Sequence, residues 1–128
     1  MAKGAYSPFV PARRPGGKPD QSPIFRVLVH RQFLDHYQRM EEAVGLKQAQ
    51  EFWDHVAMTP DAWPAAASSC ILRGKAGLPR GVGWSRTIHY ELSSMARANY
   101  QYHREYKTSP DGDPHPVVVV MAIDLTSH

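Results

Sequence analysis

Residues 65–107 bring together the side chains that could perform acid–base chemistry on a polyanion. Seven lysines and arginines stand there against two glutamates, with histidines and tyrosines interleaved. RNA is cleaved by its own 2′-hydroxyl when a protein aligns the phosphate, moves two protons and stabilises the developing charge. Basic groups supply the stabilisation, His, Tyr or Glu the proton transfers, and tyrosines beside arginines can stack bases. The candidates are Arg73, Lys75, Arg80, Arg86, His89, Tyr90, Glu91, Arg97, His103 and Arg104.

The same stretch also has structural interpretations, which the sequence leaves open. Arg86 shares one face of a predicted strand with Ile88 and Leu92. This position is also typical of a sheet arginine that is paired with a neighbouring group. Tyr90 has the position of a half-buried sheet tyrosine, and Glu91 that of a partner for a neighbouring base. The whole stretch could equally be a solvated face that balances acidic helices elsewhere.

Length and composition exclude several other classes of protein. The chain has 128 residues and is 42% hydrophobic, which predicts one domain with a conventional core. The single cysteine, Cys70, rules out an internal disulfide framework and a cysteine-based zinc site. No P-loop, dinucleotide fingerprint, zincin motif or nucleophile elbow is present. The seven histidines are scattered, so we expect no metal and no cofactor. No apolar run approaches a membrane span and the start does not resemble a signal peptide, so we expect a cytoplasmic protein without membrane contact.

The first half of the chain predicts an arm, a strand and a helix hairpin. Residues 1–23 hold five of the 11 prolines and three glycines, which indicates a flexible basic arm outside a domain at 24–128. Alternation over 24–30 predicts a short strand. Apolar residues at helical spacing before and after Gly45 predict two antiparallel helices joined by a tight turn.

The second half reads as four strands. They are predicted over 69–73, 84–93, 98–106 and 117–125, and the basic, glycine-rich loop 74–83 lies between the first two. The fold class is therefore α+β, with an N-terminal strand and a two-helix hairpin packed on a mostly antiparallel sheet of four to five strands. The face of the sheet away from the helices is expected to be open and lined from the basic stretch.

This order of elements resembles the RelE/ParE superfamily of small bacterial toxins. The segments that carry the resemblance are 25–30, which leads into the hairpin, then 71–75, 86–92 and the valine strand 117–125. The resemblance implies a RelE-like fold and a toxin of a type II toxin–antitoxin system. Such a toxin is a ribosome-dependent mRNA endonuclease that a cognate antitoxin protein neutralises, so the implied partners are the antitoxin, the ribosome and mRNA.

The resemblance also assigns roles to particular residues. Arg73 and Lys75 match the family's basic positions on the second strand and the following loop, and Arg86 resembles the arginine of the next strand. His128 looks like the terminal acid/base histidine of one branch. The expected catalytic residues are Lys75, Arg86, His128, Tyr90 and His89, and the expected RNA-binding residues are Arg73, Arg80, Arg97 and Arg104.

Two other functions remain open for the same fold. A ParE-type toxin binds a target protein without catalysis, and a RelE-like module whose catalytic set has decayed would only bind. A cleavage assay on ribosome-bound mRNA separates the enzyme from both of them.

Overall fold

The computed structural model describes residues 8–19, 21–61, 70–72, 74–108 and 110–125. The predicted residues Arg73 and His128 therefore lie outside the described residues. The architecture is α+β, as the sequence predicts, with two helices packed on one mixed β-sheet.

Two helices form the predicted hairpin. A single 3₁₀ turn at Arg31–Phe33 leads into α1 (Leu34–Val44), and α2 (Leu46–Met58) follows after one residue. That residue, Gly45, has a φ of 93°, a backbone conformation that glycine adopts without a steric penalty. The sharp reversal at Gly45 lets the apolar stripes of both helices face the same sheet.

Six strands make up the sheet, in the spatial order β1-β2-β6-β5-β4-β3. Among the described strands, β2 and β6 are the parallel neighbours and all other pairs are antiparallel, which agrees with the mostly antiparallel sheet expected. The strands are β1 (Phe9–Pro11), β2 (Arg26–His30), β3 (Cys70–Ile71), β4 (Ile88–Glu91), β5 (Arg97–Tyr106) and β6 (His115–Asp124).

The N-terminal segment accounts for the extra strand. Residues 8–19, expected to belong to a flexible arm, lie on the domain instead. Strand β1 pairs with β2, and the buried indole of Trp53 donates a hydrogen bond to the Ala12 carbonyl at 2.9 Å. Arg14 forms a bidentate ion pair with Asp54 on α2, at 2.7 and 2.9 Å. Composition missed this docking because the contacts are few and specific: strand pairing, one ion pair, and the apolar side chains of Phe9, Val10 and Ala12, which pack on the domain.

The main core lies between the helices and one face of the sheet. Central strands β2, β5 and β6 contribute the side chains at alternate positions. On β5 these are Ala98 and Tyr100, which are buried against Phe52 and Val56 of α2. The opposite face of the sheet carries a second, smaller apolar cluster, formed by Phe9, Leu28, Val117 and Val119.

The second face of the sheet is covered by a loop, where an open basic face was expected. Residues 78–84 cross this face, and buried Gln101 anchors them by donating to the Leu78 carbonyl at 2.9 Å and accepting from the Arg80 amide at 3.0 Å. The Arg80 guanidinium lies 4.5 Å from the centre of the Phe9 ring. A small apolar cluster therefore fills the space beneath the loop.

Candidate functional site

The predicted site residues that the structure describes fall into separate places on the fold. Lys75 and Arg86 lie at the β3 edge, Tyr90 faces the helices, and His89 faces the other way. Arg97 is at the turn between β4 and β5. The structure thus does not gather all the expected catalytic residues at one point, and each location needs its own account.

Arg86 is engaged by backbone at the β3 edge. Its Nε donates to the Leu72 carbonyl at 3.1 Å and its Nη2 to the Gly74 carbonyl at 3.0 Å. These bonds brace the 3₁₀ turn Gly74–Gly77, on which Lys75 is exposed to solvent. A guanidinium held in this way positions the turn and its lysine.

Tyr90 lies in the helix-side layer. Its ring centre is 4.9 Å from that of Phe52 and 5.5 Å from that of His55. Burial, followed by the nearby charge of Glu51, raises the pKa of the Tyr90 phenol above its ordinary value. Tyr90 therefore packs between the helices and the sheet, and its phenol stays protonated near neutral pH and gives up its proton less readily than an ordinary tyrosine.

His89, one residue earlier on β4, points to the opposite face because successive strand residues alternate. Its Nδ1 lies 2.6 Å from Oδ1 of Asn99, its neighbour across the β4–β5 pair. With the amide oxygen as acceptor, the proton resides on Nδ1 and the lone pair on Nε2. A histidine whose tautomer is fixed in this way presents a general base at Nε2.

A cleft of about 410 Å³ opens beside His89. Strand β2 ends at His30, and the turn that leads into α1 takes its place against β6. This arrangement brings the start of α1 towards β4 and β5. The cleft is lined by Phe33, His36, His89, Arg97, Asn99, Ala122, Ile123 and Asp124.

Arg97 brings positive charge to this cleft. Its Nη1 donates to the carbonyls of Ser93 at 2.7 Å and Ala96 at 3.0 Å, and its Nη2 lies 3.8 Å from the Glu91 carboxylate. Asp124 is the cross-strand neighbour of Arg97. The backbone bonds therefore fix the guanidinium in place at the wall of the cleft.

His36 and Asp124 are site residues that the sequence did not single out. His36 is exposed near the start of α1, and its ring packs on Phe33 with 5.5 Å between ring centres. The helical spacing of α1 predicts only that His36 lies outside the core. His36 stands 53 positions before His89 in the sequence. The pairing of strands brings these residues to the cleft, and hydrophobic periodicity does not predict which strands pair.

Arg80 and Arg104 lie away from the cleft. Burial lowers the pKa of Arg80 in its position over Phe9 and Trp84. Arg104 forms an exposed ion pair with Asp61 at 2.6 Å, which raises the pKa of Arg104 and lowers that of Asp61. These two arginines surround a different surface, formed by Trp84 and its neighbours.

The cleft combines two imidazoles, a guanidinium, an amide and a carboxylate. Such a set can accept one proton, donate another and hold an anion, as phosphate-ester cleavage requires. Among the described residues, no three His, Cys, Asp or Glu side chains cluster closely enough to hold a metal ion.

No family model, curated protein or solved structure matches this chain. In the described part of the chain, neither helix has the length and apolar character needed to cross a bilayer.

Proposed function

We propose that this protein is an endoribonuclease that cleaves single-stranded mRNA in the cleft beside His89. The observation that carries the proposal is the His89–Asn99 hydrogen bond at the wall of a cleft that also holds His36 and Arg97. The bond prepares one imidazole as a base. The second imidazole, which lines the same cleft, supplies an acid, and the guanidinium attracts the phosphate.

The reaction uses the substrate's own nucleophile. Nε2 of His89 accepts the proton of the 2′-hydroxyl, whose oxygen attacks the adjacent phosphorus. The bond from phosphorus to the 5′-oxygen breaks, and the imidazolium of His36 gives that oxygen its proton. The products are a 2′,3′-cyclic phosphate and a 5′-hydroxyl end, and Arg97 stabilises the extra negative charge on the phosphorane that forms before the bond breaks.

We propose further that the protein acts as a toxin on ribosome-bound mRNA and is neutralised by an antitoxin protein. The order of strand, two helices, strand and loop, then three strands carries the resemblance to RelE/ParE toxins, and the described elements follow that order. The basic balance of residues 65–107 suits a ribosomal RNA environment.

Cleavage of mRNA on programmed ribosomes by the purified full chain tests the proposal. Mapping the new 3′ ends for cyclic phosphate identifies the chemistry. We expect His89→Gln to lose about 10²- to 10⁴-fold in rate, because a general base contributes this much. Arg97→Gln should lose activity, and Arg39→Gln, at an exposed helix arginine, serves as its matched control. A wild-type rate for His89→Gln would overturn the mechanism.

The role that the resemblance gives His128 stays a prediction, tested in the same assay by His128→Gln. Loss of cleavage at unchanged thermal stability supports a terminal acid or base. Unchanged cleavage leaves the proton transfers to His36 and His89.

A toxin that binds a target protein without catalysis is the second candidate, and exposed apolar residues favour it. Leu78 is 58% and Val82 99% exposed, on the loop next to Lys75. Growth arrest without RNA cleavage, relieved by Val82→Ser and Leu78→Ser, would select this function. Arrest relieved by His89→Gln alone selects the nuclease.

A further inference from the structure

A second surface on the same face of the sheet is formed by half-buried rings, here called the aromatic cluster: Trp84, His103 and Tyr106. The ring centre of Trp84 lies 5.1 Å from that of His103 and 5.6 Å from that of Tyr106, and the latter two are 5.9 Å apart. None of the three rings is needed by the cleft. Trp84 and Tyr106 pack on the apolar cluster beneath the loop and are only partly covered, so the rings form an aromatic patch at its edge.

A glycine makes the cluster possible. Gly83 has a φ of 86°, and a Cβ at this position would lie 2.3 Å from Nε2 of His103. The chain then continues alongside β5, with Trp84 opposite His103 and the Ser85 amide donating to the Tyr102 carbonyl at 2.9 Å. The backbone therefore fixes the indole against the imidazole, so the aromatic wall exists before any ligand arrives.

Positive charge surrounds the aromatic cluster. The Arg80 guanidinium lies 4.9 Å from the Trp84 ring centre. A depression of about 280 Å³ beside Trp84 and His103 is also lined by Arg104 and Glu105, and exposed Lys107 follows directly after the end of β5. Because Arg104 is paired with Asp61, the positive charge available to an anionic ligand beside the rings comes from Arg80 and Lys107.

We infer that the aromatic cluster binds single-stranded RNA by stacking an unpaired base in the depression beside Trp84. Nucleic acid binding without strict sequence preference combines aromatic stacking with basic residues along the backbone. The rings supply the first, and Arg80 and Lys107 supply the second. A duplex hides its base faces, so it lacks the group that this surface recognises.

The position of the cluster relates it to the proposed function, on which this inference rests for the identity of its ligand. Asn99 and His103 lie on the same face of β5, four residues apart, which is about 13 Å along a strand. The loop anchored on Gln101 lies between them. A single strand that stacks at the cluster would cross this loop and place a nearby phosphate in the cleft.

The test measures binding apart from cleavage, with the full chain and a fluorescent 12-nucleotide RNA that is 2′-O-methylated and therefore cannot be cut. We expect Trp84→Leu and Tyr106→Leu each to weaken binding about tenfold, because stacking is lost. Trp84→Phe and Tyr106→Phe, which keep a ring, should bind within about twofold of wild type. Lys107→Gln should lower the salt dependence of binding, with Lys47→Gln on α2 as its matched control.

The outcomes separate this inference from the nuclease proposal. Wild-type protein that binds the uncleavable RNA but leaves ribosome-bound mRNA uncut would overturn the nuclease and leave the cluster standing. Equal binding by the leucine and phenylalanine variants, equal binding of a duplex of the same length, or equal competition by polyglutamate would each overturn the stacking site. Thermal unfolding of every variant identifies those that lose the fold, and the Tyr106 pair repeats the test if Trp84→Leu unfolds.

Discussion

Variants of Arg86 separate a catalytic role of this residue from a structural one. Replacing it by alanine removes two hydrogen bonds to backbone carbonyls, so we expect the free energy of unfolding to fall by about 1–3 kcal/mol. Arg86→Lys keeps the charge but loses the fork geometry, and should also be destabilised. Urea unfolding measures both changes.

The matched control for Arg86 is Arg39→Ala. Arg39 is exposed on α1 in an ion pair with Asp35, so its loss should change stability by no more than about 0.5 kcal/mol. If Arg86→Ala keeps the wild-type free energy of unfolding but loses RNA cleavage, Arg86 has a catalytic role.

His55 should make the stability of the protein sensitive to acid. Its Nε2 lies 3.1 Å from the Tyr100 hydroxyl, which in turn donates to the Pro60 carbonyl at 3.2 Å. Burial lowers the pKa of His55, against a smaller opposing effect of Asp61. The unfolded chain therefore binds more protons than the folded one below about pH 6.5, and stability falls as the pH drops through that value towards the folded pKa.

Unfolding by urea at pH 7.5 and pH 5.5 measures this loss. In the variant His55→Gln the difference between the two pH values should shrink. Lys47→Gln on the exposed side of the same helix should keep the wild-type difference. An equal pH dependence in wild type and His55→Gln would show that another group is responsible.

At the scale of elements, the N-terminal segment is a structural part of the sheet and helix layer. A chain without residues 1–15 loses strand β1, the Trp53–Ala12 and Tyr37–Arg13 hydrogen bonds and the Arg14–Asp54 ion pair. We expect its melting temperature to lie at least about 5 °C below that of a chain without residues 1–7. Circular dichroism of the two truncated chains measures the difference, and equal melting temperatures would mean that the docking adds no stability.

The elements that the sequence predicted well are those with a local cause. Helical spacing on both sides of Gly45 defines the hairpin, and a run of four valines defines the central strand β6. Strand β1 has no such signal, because its three residues are held by groups on β2 and α2. The predicted strand 84–93 is shorter in the structure, since Trp84 and Ser85 pair with β5 on their own and Arg86 turns to the β3 edge.

The candidate site was predictable to the extent that it lies on one strand pair. The basic stretch pointed to His89 and Arg97, both of which line the cleft. His36 and Asp124 reach the same cleft only because β2 and β6 are parallel neighbours and α1 follows β2. That adjacency joins distant parts of the chain, and no local pattern specifies it.

At the scale of the whole molecule, the topology places late strands at the centre. Strand β6 lies between β2 and β5, so the first and last thirds of the chain meet in one hydrogen-bonded unit. Contacts so distant in sequence slow folding, because the chain loses loop entropy before they form. The cleft and the aromatic cluster both contain residues of β5. Both sites therefore depend on the pairing of β5 with β6.

Strand β6 also has a consequence for how the chain behaves before it folds. Residues 117–123 form seven consecutive uncharged apolar positions without proline, five of them β-branched, a composition typical of segments that assemble into cross-β fibrils. In the fold, Val117–Val120 are buried and both edges of the strand are paired. During synthesis this segment emerges after its partner strands β2 and β5, which are then already present. Dilution from denaturant exposes it in every molecule at once, so aggregation should compete with refolding and the yield of native protein should fall as its concentration rises.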